Sequence, residues 1–246
     1  MTGLAENYRY EKIIEEGASD FVEKPVRIQE ILVRLKRVLR ERAITIELKR
    51  SYGKLRRILW ETVEALASAL EKRDPYTAGH QKRVAKLGCA LAEELGFSEK
   101  QIEGIQVAGN LHDIGKLSIP TDILNKPGQL STNEFNLIKE HSQVGYEILV
   151  DIEFDQPISQ IILQHHERMN GSGYPRGLSG EDIIAEARVL AVADVVESMV
   201  SHRPYRPALG LDRALAEISQ NRGSHFDPTV ADTCLKLCAS GRFVFE

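Results

Sequence analysis

Past residue 74 apolar positions recur three and four apart, and this periodicity predicts helix after helix. Val84, Leu87, Leu91 and Leu95 form one stripe over 80–95, and Gly96 follows as the stop. Ser98-x-x-Gln101 is a capping box opening a helix that bears Ile102, Ile105, Val107 and Ala108. Ser131-x-x-Glu134 opens another, predicted to carry His141, and Asp155 with Pro157 opens a helix ending at His165–His166. Ile183 to Ser201 reads as a long apolar helix. Two more follow, at 211–221 and from the Asp227–Pro228 cap to about 239. No strand alternation or internal repeat appears after residue 30. The expected fold class is therefore mainly α, a helical bundle.

The segment before residue 74 is built differently. Residues 27–73 are highly charged and helical in pattern. Ile28, Leu32, Leu35, Leu39 and Ile46 keep one heptad register, with Arg42 in the seam, and Leu48, Tyr52, Leu55, Leu59, Thr62 and Leu66 keep a second. The offset near 46–48 and Gly53 inside the run are expected to weaken a single unbroken coil. This stretch is read either as a homodimerising helix or as intramolecular cover. Ahead of it, Tyr10 to Glu16 reads as helix ended by Gly17, Asp20 to Lys24 as a short strand, and Lys24–Pro25 as a turn. That order resembles the last third of a response-regulator receiver domain. The resemblance matches Thr2 to the switch hydroxyl and Lys24 to the phosphate-contacting lysine. The strands that would carry a phosphorylated aspartate are missing, so no phosphoacceptor activity is expected. The expected organisation is a truncated receiver-like fragment at 1–40, a helical linker at 41–73, and a catalytic domain at 74–240.

Composition narrows the partners. The chain has 246 residues, 42% hydrophobic and 28% charged, with a formal net charge of −4. Without a basic excess, DNA or RNA binding by phosphate neutralisation is not expected. No run is long enough for a membrane span, so no membrane partner is expected. Cys89, Cys234 and Cys238 have no metal-finger spacing, and core packing in a reducing, cytoplasmic setting is the expectation.

Chemistry concentrates at Leu111-His112-Asp113-Ile114-Gly115-Lys116, where two metal-ligand types stand side by side and Gly115 is read as allowing a sharp backbone turn. Five of the seven histidines, His80, His112, His141, His165 and His166, fall on successive helices; only His202 and His225 lie outside this set. Asp194 interrupts the apolar run Val189 to Val196. A buried carboxylate costs several kcal/mol unless paired or metal-bound. Inward-facing histidines and aspartates on separate helices are the pattern of a bundle metal site.

The series DPYTAGH at 74–80, LHDIGK at 111–116, ILNKPG at 123–128, HHERMNGSGYPRGL at 165–178 and AVADVVESMVSHRPYR at 191–206 resembles the HD-GYP branch of the HD phosphohydrolase superfamily. The resemblance covers about residues 74–235 in order and spacing. It implies an HD-type helical bundle and a bacterial cyclic di-GMP phosphodiesterase, often the output of two-component signalling. It implies that His80, His112, Asp113 and Asp194 hold one divalent transition metal and His141, His165 and His166 a second, with Asp113 bridging. Mixed imidazole and carboxylate donors suit iron, manganese, nickel or zinc better than magnesium or calcium. Such ions would make water acidic enough to react at neutral pH. Lys116 is placed to hold a non-bridging phosphate oxygen. Arg203 and Arg206 match phosphate-contacting positions, and Asp74 could accept from a guanine edge or the ribose. Tyr76 stands four residues before His80, where three-metal relatives carry a glutamate. A phenol is a poor ligand, so two metals and pGpG as main product are expected, with GMP as the further product. Gly173-Tyr174-Pro175 is expected to present an exposed apolar tip that recognises a partner, commonly a diguanylate cyclase (GGDEF-type) domain, or else to be a structural turn. Two other readings stay open: a non-catalytic cyclic di-GMP sensor, and a hydrolase of another cyclic dinucleotide such as cyclic GMP-AMP.

Overall fold

The computed structural model describes residues 27–73, 79–202 and 208–245, together with residues 15, 17, 19, 20 and 25. The receiver-like expectation, with Thr2, the 20–24 strand and Lys24, falls almost wholly outside the described residues, as do Asp74, Tyr76, Arg203 and Arg206. The described residues form helices and no sheet. By contacts the chain divides into residues 1–60 and 61–246.

Helix α1 is a single helix, Ile28–Glu71. Neither Gly53 nor the register offset interrupts the helix itself. A glycine costs a helix only about 1 kcal/mol, which the long flanking runs can absorb. In residues 1–60 its N-terminal half is fastened by Asp20, whose carboxylate accepts from Arg34 at 3.1 Å and Arg37 at 2.9 Å. Both heptad seams lie open, with Ile28 77%, Leu48 68% and Leu55 68% exposed. In residues 61–246 the last turns of α1 bury Val63, Ala67 and Leu70. That face lies one position round from the seam residues Thr62 and Leu66.

The bundle follows the periodicity. Helix α2 is His80–Glu94, and Gly96 ends it with φ +76°. Helix α3 is Glu99–Leu111, opened by the Ser98/Gln101 capping box. A 3-10 turn, Ile114–Ser118, leads to the short α4, Thr121–Leu124. The Ser131/Glu134 box opens α5, Thr132–Lys139, but His141 is not on it. The chain breaks at Glu140 and His141 begins a separate helix, α6, His141–Leu149. Helix α7 is Ile158–Gln164; Pro157 stands at its N-cap with no side-chain cap, so Asp155 does not play that part. Helices α8 (Ala185–Val200), α9 (Leu211–Gln220) and α10 (Pro228–Ala239) complete the fold.

Helix α8 is apolar around most of its girth and is the centre, packing on α2, α3, α7, α9 and α10. Leu87 and Leu91 of α2, Ile161 and Ile162 of α7 and Leu190 of α8 are fully buried. Each such side chain contributes roughly 1.5–3 kcal/mol by leaving water. Gly115 is not a turn residue in the expected sense, because its φ is not positive. It is needed for contact: a Cβ there would lie 1.9 Å from the His141 carbonyl oxygen and 2.6 Å from Gly145 N. The absence of a side chain lets the 3-10 turn lie against the first turn of α6.

Candidate metal centre

The ends of four helices converge on one buried cluster. His80 starts α2, His112 follows α3, His141 starts α6, and His165 follows α7. Asp113 lies between α3 and the 3-10 turn, and Asp194 faces the cluster from the middle of α8. His80, His112, Asp113, His141 and His165 are each at most 2% exposed, and Asp194 9%. Three overlapping groups have donor atoms within 4.8 Å of one another: His80–His112–Asp194, His112–Asp113–His165, and His141–His165–His166.

Asp113 occupies the middle. Its Oδ2 lies 3.9 Å from His80 Nε2 and 3.5 Å from His112 Nε2, while Oδ1 lies 3.6 Å from His141 Nε2. Asp194 Oδ1 lies 3.4 Å from His80 Nε2 and 3.9 Å from His112 Nε2. Lys116 Nζ donates to Asp113 Oδ2 at 2.7 Å.

The other ring nitrogens are engaged. Nδ1 of His112, His141 and His165 meets the carbonyl three residues earlier, Gly109, Ile138 and Ile162, at 2.8, 2.6 and 2.6 Å. Nδ1 of His80 meets the Glu197 carboxylate, which Arg83 and Ser201 also donate to at 2.7 and 2.6 Å. A proton held at Nδ1 leaves Nε2 as a lone-pair donor aimed into the cluster. His112 Nε2 is buried and, among the described residues, has no hydrogen-bond partner. A buried nitrogen left bare costs about 1–3 kcal/mol, and a cation between it and the neighbouring carboxylates removes that cost. The residues present therefore fit divalent metal ions.

Electrostatics agree. Burial lowers His141 to about 4, and burial with His112 and His141 nearby lowers His165 to about 3. Burial, then His165 and His141, holds His166 well below its ordinary range. For Asp113, burial works upward, but Lys116 and the surrounding histidines outweigh it and hold the carboxyl well below the usual range. Asp194 behaves alike, with the His80 hydrogen bond leading the opposition to burial.

Residues 64–230 match the HD domain family. This chain belongs to that family. The chain is 40% identical over 236 residues to a cyclic di-GMP phosphodiesterase response regulator of Xanthomonas campestris, an alignment covering 91% of this chain and 62% of that protein. It is 38% identical over 248 residues to a cyclic di-GMP phosphodiesterase of Thermotoga maritima, covering 92% and 67%. Among solved structures, a cyclic GMP-AMP specific phosphodiesterase of Vibrio cholerae shares the fold, with TM-score 0.57, 21% identity, and 74% of this chain and 49% of that chain covered. The chain thus spans about three fifths of the Xanthomonas protein and two thirds of the Thermotoga one. Among the described residues no helix is long and apolar enough to cross a membrane.

Two features of this HD domain escape the sequence reading. Glu197 is fully buried three residues after Asp194 in the same apolar run, so the signal that marks Asp194 marks it too. Burial works to raise its pKa, but the His80 contact, with Ser201 and Arg83, brings it down to about 2. Glu167, 2% exposed, accepts from the backbone of Arg176 at 2.7 Å and Leu178 at 3.0 Å. The expectation of an exposed Tyr174 tip is corrected. The Tyr174 ring turns inward over His166, with centroids 4.7 Å apart, while Ser172, Pro175, Arg176 and Gly177 stay exposed.

Proposed function

We propose that this chain is a metal-dependent phosphodiesterase that opens cyclic di-GMP to linear pGpG in bacterial signalling. The observation that carries the reading is Asp113, with one oxygen facing His80 and His112 and the other facing His141. A carboxylate so placed suits the bridge of a two-metal site. In this reading His80, His112, Asp113 and Asp194 hold one ion, and His141, His165 and His166 with Asp113 hold the second, iron or manganese ahead of nickel or zinc. Metals so held supply Lewis acidity and reactive water at neutral pH.

The protein's own groups do the rest. Lys116, one turn after Asp113, holds a non-bridging phosphate oxygen as negative charge grows on it. Arg203 and Arg206 contact the second phosphate, and Asp74 a guanine or ribose. The printed activities of the Xanthomonas and Thermotoga relatives support cyclic di-GMP as substrate. Residues 74–240 form the catalytic domain, with Val63, Ala67 and Leu70 of the linker helix adding to its core. The two open seams of α1 support a homodimer formed through that helix. Pro175, Arg176 and Gly177 are the part of the loop left for a partner such as a diguanylate cyclase domain.

The test is turnover of cyclic di-GMP by manganese- or iron-loaded protein prepared without oxygen, with chromatography of products. The expected product is pGpG. Faster turnover of cyclic GMP-AMP would reassign the substrate. Binding without cleavage of any cyclic dinucleotide would leave a sensor in place of an enzyme.

A further inference from the structure

Five imidazoles face the cluster, and a ligand ring needs its orientation fixed. Four of them are fixed by hydrogen bonds: His112, His141 and His165 through backbone carbonyls, and His80 through Glu197. His166 is the exception. Among the described residues its ring makes no hydrogen bond. It is instead held between rings, His165 at 4.0 Å with a 40° tilt and Tyr174 at 4.7 Å with a 32° tilt. Of these two only Tyr174 lies outside the proposed ligand set.

The loop that delivers Tyr174 is itself held against the His165–Glu167 backbone. Tyr174 N donates to the His166 carbonyl at 3.2 Å. A Cβ on Gly173 would stand 2.4 Å from Glu167 Cα and 2.5 Å from Arg168 N, so only glycine permits this approach. Glu167 then grips the far side of the loop through the amides of Arg176 and Leu178. Lys139 covers the ring, its Nζ 5.6 Å from the Tyr174 centroid.

We infer that Tyr174 is a positioning residue for His166: its ring does by stacking what a hydrogen bond does for the other four histidines, and Gly173 and Glu167 hold it in place. Offset aromatic packing of this kind restricts ring rotation while leaving both imidazole nitrogens free. The inference rests on the two-metal reading above. It gives the Gly173-Tyr174-Pro175 loop a role inside the site, separate from partner recognition.

The experiment compares full-length wild type, Tyr174→Phe and Tyr174→Leu, each loaded with cobalt(II). Cobalt per chain, cobalt affinity and the visible ligand-field spectrum are read. The phenylalanine keeps the ring and should match wild type in all three. The leucine keeps bulk but not the ring. It should bind the cobalt on the His141–His165–His166 side about 10–100-fold more weakly, the usual effect of losing a ligand's supporting partner, with an altered spectrum. Two equally tight cobalt ions and an unchanged spectrum in Tyr174→Leu would overturn the inference. So would equal losses in Tyr174→Phe, because the phenol oxygen and not the ring would then matter. If Tyr174→Leu does not fold, Glu167→Gln decides. It leaves the ring present but removes one acceptor from the loop, and unchanged cobalt affinity there would overturn the inference as well. Wild type that takes up no cobalt would overturn the metal reading itself, a failure visible before any variant is made.

Discussion

Adding one methyl group at residue 115 should disable the centre. In Gly115→Ala the new Cβ would lie 1.9 Å from the His141 carbonyl oxygen and 2.7 Å from the His141 carbonyl carbon. Both are backbone atoms, so no side chain can swing aside. Relieving the first contact to an ordinary 3.4 Å requires the 3-10 turn and α6 to part by about 1.5 Å. Asp113 immediately precedes the first of these elements and His141 begins the second, and Asp113 Oδ1 now sits 3.6 Å from His141 Nε2. Metal–ligand bonds of about 2.1 Å allow two donors of one ion to be at most roughly 4.2 Å apart. A parting of that size carries the pair beyond the limit, and the proposed bridge would fail. The cost in stability is that of overpacking, about 1–3 kcal/mol or somewhat more, or a fall in Tm of several degrees. The cost in activity is larger, at least about 100-fold. Elemental analysis, a thermal melt and the cyclic di-GMP assay on the same preparation measure all three. Because Gly115 does not have positive φ, alanine would be harmless if the residue served only as a turn. A variant with wild-type metal content and turnover would refute the contact argument.

Other perturbations follow from the same geometry. Glu197→Gln should weaken metal retention about 10–100-fold by loosening His80, and should also lower the metal-free melt because Arg83 loses its buried counter-charge; equal metal affinity by isothermal titration would remove Glu197 from that role. Metal-free protein should lose stability as pH falls from 6.5 towards 4. His141 takes a proton at 6.5 when unfolded but only at about 4 when folded, so stability is complete above 6.5 and declines between the two values. The loss from this one group is of the order of 2 kcal/mol by pH 5, and a flat urea midpoint between pH 7 and 5 would contradict it. Asp113 and Asp194, being depressed, act only below the ordinary carboxylate range and do not blur that window. Light scattering should find the full chain dimeric and a chain starting at residue 61 monomeric. A start at 74 would be a poor comparison, because it removes the buried Val63, Ala67 and Leu70. A dimer surviving the cut at 61 would move the interface off the exposed seams.

What was legible in the sequence was whatever local pattern determines. Capping boxes at Ser98 and Ser131, the stripe Val84–Leu87–Leu91 and the apolar run around Asp194 gave helix positions closely, because each is read within one or two turns. What was missed depends on contacts between distant segments. The break at Glu140 separates α5 from α6, where the periodicity runs on without a proline or glycine. Gly115 matters because of His141, and Gly173 because of the backbone at Glu167, and neither pairing is visible in a linear string. The turn-rich loop reads as offering Tyr174 with Pro175 as an exposed apolar tip. Tyr174 is turned inward because Glu167, a residue of ordinary appearance between two motifs, ties down the loop.

The cluster also shows why burial can prepare both kinds of ligand. Burial alone favours the neutral form of any group, which is the right form for an imidazole donor and the wrong one for a carboxylate. His141, His165 and His166 need nothing further, and burial is the leading cause of each depression. The aspartates need opposing positive charge or hydrogen bonds. Asp113 has Lys116 at 2.7 Å, and Asp194 has the His80 contact. Lys116 thus has a use before any substrate arrives: it keeps Asp113 ionised where burial would otherwise protonate it. A cation held by Asp113 would supply that compensation instead. Its arrival would leave the ammonium free to turn to an incoming phosphate, so that under the proposed mechanism one group would stabilise first the empty carboxylate and then the reaction.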